Sequence, residues 1–326
     1  MIRIGLLGAS RIGRGAIIAP AAEIAGVEVV TVAARSEARA REYAEVHGIP
    51  KVEPDYQALI SSPEIDLVYN ALPPSEHKGW TLAALRAGKH VLCEKPFSMN
   101  ADEAEAMVGT AKETGRTLIE AFHCRFHPLF ARVMELLDSG AIGTVLSMSS
   151  HFNVPIPSEP GELRYDKRLG GGAMMDLGCY PVHWVRNAAA EEPDVVSANA
   201  DWHESGVDVA MEAELQFPLG ATASVSCSMS ENLPDKLDAN LTVTGEEGTL
   251  AVDNPLAPHI GHELTLETDR GVVSEQFGSE STYHYQLRHT VDVIENGATQ
   301  LTGGADAIGN MRVIDAIYRV AAGGRP

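Results

Sequence analysis

Apolar and polar positions follow two different rhythms along this chain. Over the first 120 or so residues, short, mostly apolar runs occur at Ile2–Gly8, Val27–Ala34, Leu67–Ala71, His90–Cys93 and Thr117–Phe122. Such runs predict strands buried on both faces. Between them, Glu37–His47, Ser75–Ala87 and Ala101–Thr114 repeat apolar residues at helical spacing. Gly48, Gly88 and Gly115 stand where those helices must stop, and Ser75 stands where one could be capped. Pro20, inside the first crossover, predicts a helix that breaks or restarts. Alternating strands and helices with right-handed crossovers make a doubly wound parallel sheet.

The rhythm changes after Phe122. A helical stretch, Phe130–Ser139, leads through Gly140–Gly143 to a strand from Thr144. Val195–Trp202, Val209–Phe217, Ala221–Ser230, Ala239–Thr244, Thr249–Val252 and Glu263–Glu267 then alternate in twos or carry β-branched residues, with tight turns between them. Two helices, Tyr283–Glu295 and Ala307–Val320, close the chain. The expected class is α/β, with domain 1–121 holding the parallel sheet. Domain 122–326 is an α+β unit with a large, mostly antiparallel, open-faced sheet, whose final helices can return to the first domain.

Composition narrows this picture. A net charge of −20 argues against nucleic acid or an anionic membrane as partner. No apolar stretch reaches the length of a membrane-spanning helix, and no export signal precedes the first strand. The four cysteines have neither zinc nor Cys-x-x-Cys spacing, so reduced thiols in the cytoplasm are expected. The 12 histidines are scattered, and Pro128 spoils the pair His123/His127, so no metal site is expected.

The candidate chemistry begins at the first strand–helix turn, Gly8-Ala9-Ser10-Arg11-Ile12-Gly13. Its spacing is that of the Rossmann dinucleotide fingerprint, with serine at the second glycine, a small residue whose hydroxyl can meet a phosphate. At the end of the second strand an NAD-binding chain carries a carboxylate for the ribose hydroxyl. Here the order is Ala33-Ala34-Arg35-Ser36, with Arg39 one turn on. A guanidinium and a hydroxyl at a helix start suit a 2′-phosphate, so NADP(H) is the expected cofactor, with NAD(H) the alternative. Glu94-Lys95-Pro96 closes a strand at the edge where doubly wound sheets bind ligands, and the proline restrains the backbone of Lys95. Beyond the run Gly170-Gly171-Gly172 stand Asp176 and Tyr180, four apart and on one face of a helix.

Three ordered segments resemble the Gfo/Idh/MocA family of glucose–fructose oxidoreductases and inositol dehydrogenases. They are Gly88 to Pro96, Glu120 to Pro128, and Leu169 to Tyr180. Tyrosine at the end of the third resembles the branch containing dimeric dihydrodiol dehydrogenases. The resemblance implies that Tyr180 is the acid/base residue and that Lys95 lowers its pKa, a phenol of about 10 being a poor base near neutrality. It also implies hydride transfer to or from the carbinol carbon of a sugar, polyol or cyclic diol. Leu72, Pro73, His77, Glu94 and Arg125 are the further cofactor candidates. Asp176, Arg164 and His183 are the substrate candidates, and the loops around Phe152–Arg168 and Asn232–Asp238 choose the substrate. A homodimer or homotetramer through the second sheet follows from the same resemblance. Two alternatives share the scaffold: a non-catalytic, cofactor-binding regulator and an NAD-dependent glycoside hydrolase.

Overall fold

A computed structural model describes residues 1–234 and 236–324, so Asp235 in the second of those loops lies outside the described residues. The chain forms two compact units. One comprises Met1–His123 with Tyr283–Ile308; the other comprises Cys124–Thr282 with residues 309–326.

The first unit is built on six parallel strands: β1 (Ile2–Leu7), β2 (Val27–Ala33), β3 (Lys51–Val52), β4 (Leu67–Asn70), β5 (His90–Cys93) and β6 (Leu118–Glu120). Their order is β3-β2-β1-β4-β5-β6, which is the doubly wound arrangement. Central β1 and β4 are buried almost throughout, as their mostly apolar sequences predict. After β1 the chain makes a π-helical stretch, Arg14–Ile18, and then α1 (Ala19–Glu23). Pro20 sits in the first turn of α1, where a missing N–H costs nothing, so the helix does restart there.

The remaining helices of the N-terminal segment are α2 (Glu37–His47), α3 (Tyr56–Ser61), α4 (Pro74–Arg86) and α5 (Ala101–Thr114). Ser36 caps α2 by accepting from the Arg39 amide at 3.4 Å, and Gly48 ends it in the left-handed region. Asn100 and Gly115 do the same for α5. Ser75 is not a cap. Pro74 occupies the first position of α4, so the helix begins a residue earlier and Pro73 stands at its N-cap. Edge strand β6 is not left bare. Gln300 donates to the Leu118 carbonyl at 2.7 Å, and Thr302 donates to the Glu120 carbonyl at 2.6 Å.

The second unit begins with α6 (Pro128–Asp138) and holds eight strands. These are β7 (Val145–Asn153), β8 (Asp194–Trp202), β9 (Asp208–Gln216), β10 (Thr222–Ser228), β11 (Asp238–Gly245), β12 (Gly248–Asp253), β13 (Glu263–Thr268) and β14 (Gly271–Glu275). Their order is β14-β13-β12-β11-β7-β10-β9-β8, and only β7 and β10 run parallel. Inward residues such as Met211, Ala213, Leu215, Ala223, Val225, Leu241 and Val243 are buried, and their neighbours in sequence are not. That period of two is the mark of a sheet with one covered face. Against it pack a second π-helical stretch, Met174–Gly178, and α7 (Cys179–Ala189). Gly178 permits this approach: a Cβ there would lie 2.9 Å from the Cys227 sulfur. The last helices are α8 (Thr282–Asn296) and α9 (Ala305–Ala321). Strand β14 was not foreseen, because its short Gly-Val-Val-Ser-Glu sequence faces solvent on nearly every residue.

His127 serves this fold as a cap. Its Nδ1 accepts from the Leu129 amide at 3.2 Å, and its Nε2 lies 3.2 Å from the Gly278 carbonyl. This pairing requires a neutral ring, and burial with His262 and His259 nearby lowers its pKa to about 4. A free imidazole protonates near 6.5, so on acidification the unfolded chain takes up this proton first. Stability is therefore full above about pH 6.5 and falls as pH drops from there toward the folded pKa. Denaturation at about pH 7 and about pH 5 should show this loss, on the order of 1 kcal/mol. His127→Asn, which keeps a capping oxygen but cannot titrate, should lose visibly less.

Candidate active site

The glycine turn of the first unit is closely packed. Gly8 has φ +99°, and a Cβ there would meet Leu72 at 3.1 Å and the Ala71 carbonyl at 3.3 Å. A Cβ at Gly13 would lie 2.6 Å from the Tyr43 hydroxyl. Ser10 Oγ accepts from the Gly13 amide at 3.2 Å, and Tyr43 donates to the Ser10 carbonyl at 3.0 Å. The serine thus secures the turn itself, work the glycine of the usual fingerprint cannot do. Arg39 Nη2 donates to the Ala9 carbonyl at 3.2 Å, joining the start of α2 to the same loop. Ala34 is buried at the end of β2, while Arg11, Ile12, Arg35, Ser36 and Arg39 are exposed. A backbone cradle that excludes side chains, with guanidinium groups beside it, fits the pyrophosphate and phosphate groups of a dinucleotide.

The Glu94–Phe97 loop is held from three sides. Tyr69 in β4 donates to Glu94 Oε1 at 2.5 Å, and Glu94 Oε2 accepts from the Lys95 amide at 3.3 Å. Burial, reinforced by Glu94, raises the pKa of Tyr69 well above that of a free phenol, so it remains a donor. The Lys95–Pro96 peptide is cis. His77, 1% exposed in α4, places Nδ1 3.0 Å from the Pro96 carbonyl and 3.3 Å from that of Phe97, and Nε2 2.7 Å from the Leu72 carbonyl. Expected as a cofactor contact, His77 is occupied on both nitrogens by backbone. It ties the Leu72-Pro73 loop after β4 to the Lys95 loop after β5. His77→Ala should lower kcat several-fold, with kcat partly recovered in His77→Gln, which retains a donor; steady-state kinetics with both variants checks this.

In the second unit the glycine run shapes the site. Gly171 has no room for a side chain, since a Cβ there would meet the Leu163 carbonyl at 2.7 Å. The Gly172 amide donates to the Arg164 carbonyl at 2.9 Å. Segment 163–166 is thereby laid on the run. Arg164 Nε reaches Asp176 Oδ2 at 2.5 Å, and its Nη1 reaches Glu162 at 3.0 Å. Arg164 and Asp176, proposed separately as substrate contacts, are one ion pair, half-buried on both sides. Tyr180 lies in the first turn of α7, 4% exposed, edge-on to Phe152 with ring centroids 5.7 Å apart. His183, one turn on, is fully buried beside Phe130 and Asn187, in the interior of the unit. The Arg125 guanidinium lies over the Phe130 ring at 4.3 Å, and Phe130 in turn stacks on Trp184. Sequence reasoning missed the contacts of Tyr69 with Glu94 and of Phe152 with Tyr180, which join residues far apart in the chain, and that of Glu162 with its near neighbour Arg164. Among the described residues no cluster of metal-binding side chains occurs.

Comparison with known proteins shows the family to which both halves of the chain belong. Residues 2–122 match the model of the oxidoreductase family with an NAD-binding Rossmann fold. Residues 130–251 match the GFO/IDH/MocA C-terminal domain. The chain is 37% identical to a D-xylose 1-dehydrogenase (NADP(+)) of Haloferax volcanii, over 97% of this chain and 96% of that one. It is 36% identical to a trans-1,2-dihydrobenzene-1,2-diol dehydrogenase of Mus musculus, over 74% and 71% of the two. Among solved structures it resembles a tyrosine-to-phenylalanine mutant of a 3-ketoreductase from Actinomadura kijaniata in complex with TDP-benzene and NADP. That likeness has a TM-score of 0.89 and 28% identity, covering 99% of this chain and 98% of the other. With both halves matched in order and a relative aligned along nearly its whole length, the chain belongs to the GFO/IDH/MocA family of oxidoreductases.

Proposed function

We propose that this protein is an NADP(H)-dependent oxidoreductase acting on a secondary alcohol or ketone carbon of a sugar, polyol or cyclic diol, with Tyr180 as acid/base and Lys95 assisting it. The carrying observation is the local setting of Tyr180. It follows a helix start fixed by glycine contacts, one turn from a carboxylate held by Arg164. The relatives point the same way: their names span a xylose dehydrogenase, a dihydrodiol dehydrogenase and a 3-ketoreductase solved with NADP.

A bound nicotinamide supplies or accepts the hydride. The chain does the rest. The Tyr180 phenol moves a proton at the substrate oxygen, and the Lys95 ammonium favours its phenolate form. Asp176, oriented by Arg164, accepts a hydrogen bond from a second substrate hydroxyl. The Ser10 turn and the starts of its helices bind phosphate, and Arg35 with Ser36 takes the 2′-phosphate. The same reading carries a homo-oligomer in the cytoplasm, paired through the outer face of the second sheet.

Cofactor choice tests this reading at Arg35. Wild type should use NADP in preference to NAD, and Arg35→Ala should reduce the ratio of the two kcat/KM values by about tenfold to a hundredfold. Preference for NAD in the wild type would reject the phosphate assignment.

A further inference from the structure

The helix that carries Asp176 and Tyr180 starts without a cap of its own. The residues before it are Gly171, Gly172 and Ala173, none of which has a side-chain acceptor, and no side chain of the N-cap position bonds to its first amides. An uncapped helix start leaves several N–H donors without partners. Here a residue 34 positions away fills the gap: Asp208, fully buried at the start of β9, accepts from the Met174 amide through Oδ2 at 2.7 Å. Its other oxygen, Oδ1, accepts from the Tyr318 hydroxyl of α9 at 2.7 Å. The carboxylate therefore covers the first helix donor from outside the helix, and the phenol holds the carboxylate in place. Their fit is tight enough to dictate the residue opposite. A Cβ on Gly172, itself at φ +127°, would collide with Asp208 Oδ1 and stand 2.7 Å from the Tyr318 hydroxyl.

We infer that Asp208 and Tyr318 form a remote cap that positions the 174–180 turn, and with it Asp176 and Tyr180, for the reaction. They are positioning residues, without contact to substrate. The π-helical stretch between cap and tyrosine makes the anchor consequential. Within Met174–Gly178 the bonding is wider than in an α-helix, so the direction of Tyr180 depends on where the first amides are fixed. A carboxylate also complements the positive end of the helix, which accounts for a charge in so enclosed a place. Burial pushes the Asp208 pKa up, and the Tyr318 and Met174 bonds hold it partly down.

This inference rests on Tyr180 being the acid/base residue only in its kinetic consequence, so two readouts are needed. The variants are Tyr318→Phe, Asp208→Asn, which keeps one acceptor, and Asp208→Ala. Hydrogen exchange of the full-length protein should show faster exchange within residues 174–180 in Tyr318→Phe, with the strands β9 and β10 protected as in wild type. Steady-state kinetics should show kcat lowered by about tenfold or more in Tyr318→Phe, with KM for NADPH unchanged and Asp208→Asn milder than Asp208→Ala. Wild-type exchange in the 174–180 amides would overturn the cap whatever the kinetics. Faster exchange with unaltered kcat would overturn its role in positioning. If Tyr180→Phe itself keeps wild-type turnover, the acid/base reading fails, and the exchange data still decide the cap.

Discussion

Tyr180→Phe should lower kcat about a thousandfold and leave the affinity for NADPH at its wild-type value. General acid–base catalysis by a placed side chain contributes about a hundredfold to ten-thousandfold, and the substitution removes that contribution alone. The ring itself remains. Tyr180 is 4% exposed and rests edge-on against Phe152, so phenylalanine refills the same space and the fold is kept. Phosphate binding is assigned to the glycine turn and to Arg35, in the first unit, and these are untouched. Rapid-mixing kinetics together with quenching of intrinsic fluorescence by NADPH separates the two effects. A Phe variant that turns over normally would transfer the proton to another group, and a variant that no longer binds NADPH would mean that the ring serves the cofactor.

Gly172→Ala should destabilise the second unit by about 2–4 kcal/mol and remove most activity. Two separate costs meet at this residue. Its φ of +127° lies in a region that L-residues avoid, which costs about 1–3 kcal/mol. The added methyl group also enters the space of Asp208 Oδ1 and the Tyr318 hydroxyl, both of which are held by hydrogen bonds and cannot swing away. Relief by movement of the helix start would take Asp176 and Tyr180 with it. Gly15 is the matched control. It lies in a helical stretch, without positive φ, and a Cβ there meets nothing within 4 Å. Gly15→Ala should be neutral, or stabilising by up to about 1 kcal/mol, through helix propensity. Chemical denaturation followed at the tryptophans, of which Trp184 lies in the second unit, compares the two variants.

How much of this was legible in the sequence depends on the range of each interaction. The parallel sheet was readable because burial on both faces leaves mostly apolar runs such as Ile2–Leu7 and Leu67–Asn70. The second sheet was readable from alternation in Asp208–Gln216 and Asp238–Gly245. Helix ends were legible at Gly48 and Gly115, where the stop signal is carried by a single residue, but not at Ser75, because Pro74 pre-empted it. The pairing of Arg164 with Asp176 was not legible. It depends on a glycine run that lets one segment lie on another, and spacing alone gives no such contact. The Asp208–Tyr318 pair joins a strand to the last helix, and nothing local marks either residue. His77 was noticed for its place after Leu72-Pro73-Pro74, yet its function as a clip between two loops comes from carbonyl contacts only the fold creates.

The most direct measurement is the absorbance of reduced nicotinamide during incubation of the purified protein with NADP and a panel of aldoses, polyols and cyclic trans-diols, run beside Tyr180→Phe. Steady formation of NADPH with at least one of these substrates is expected in the wild type, with near-total loss in the variant. Equal rates in the two proteins, or glycoside cleavage with no net change in absorbance, would contradict the proposed function.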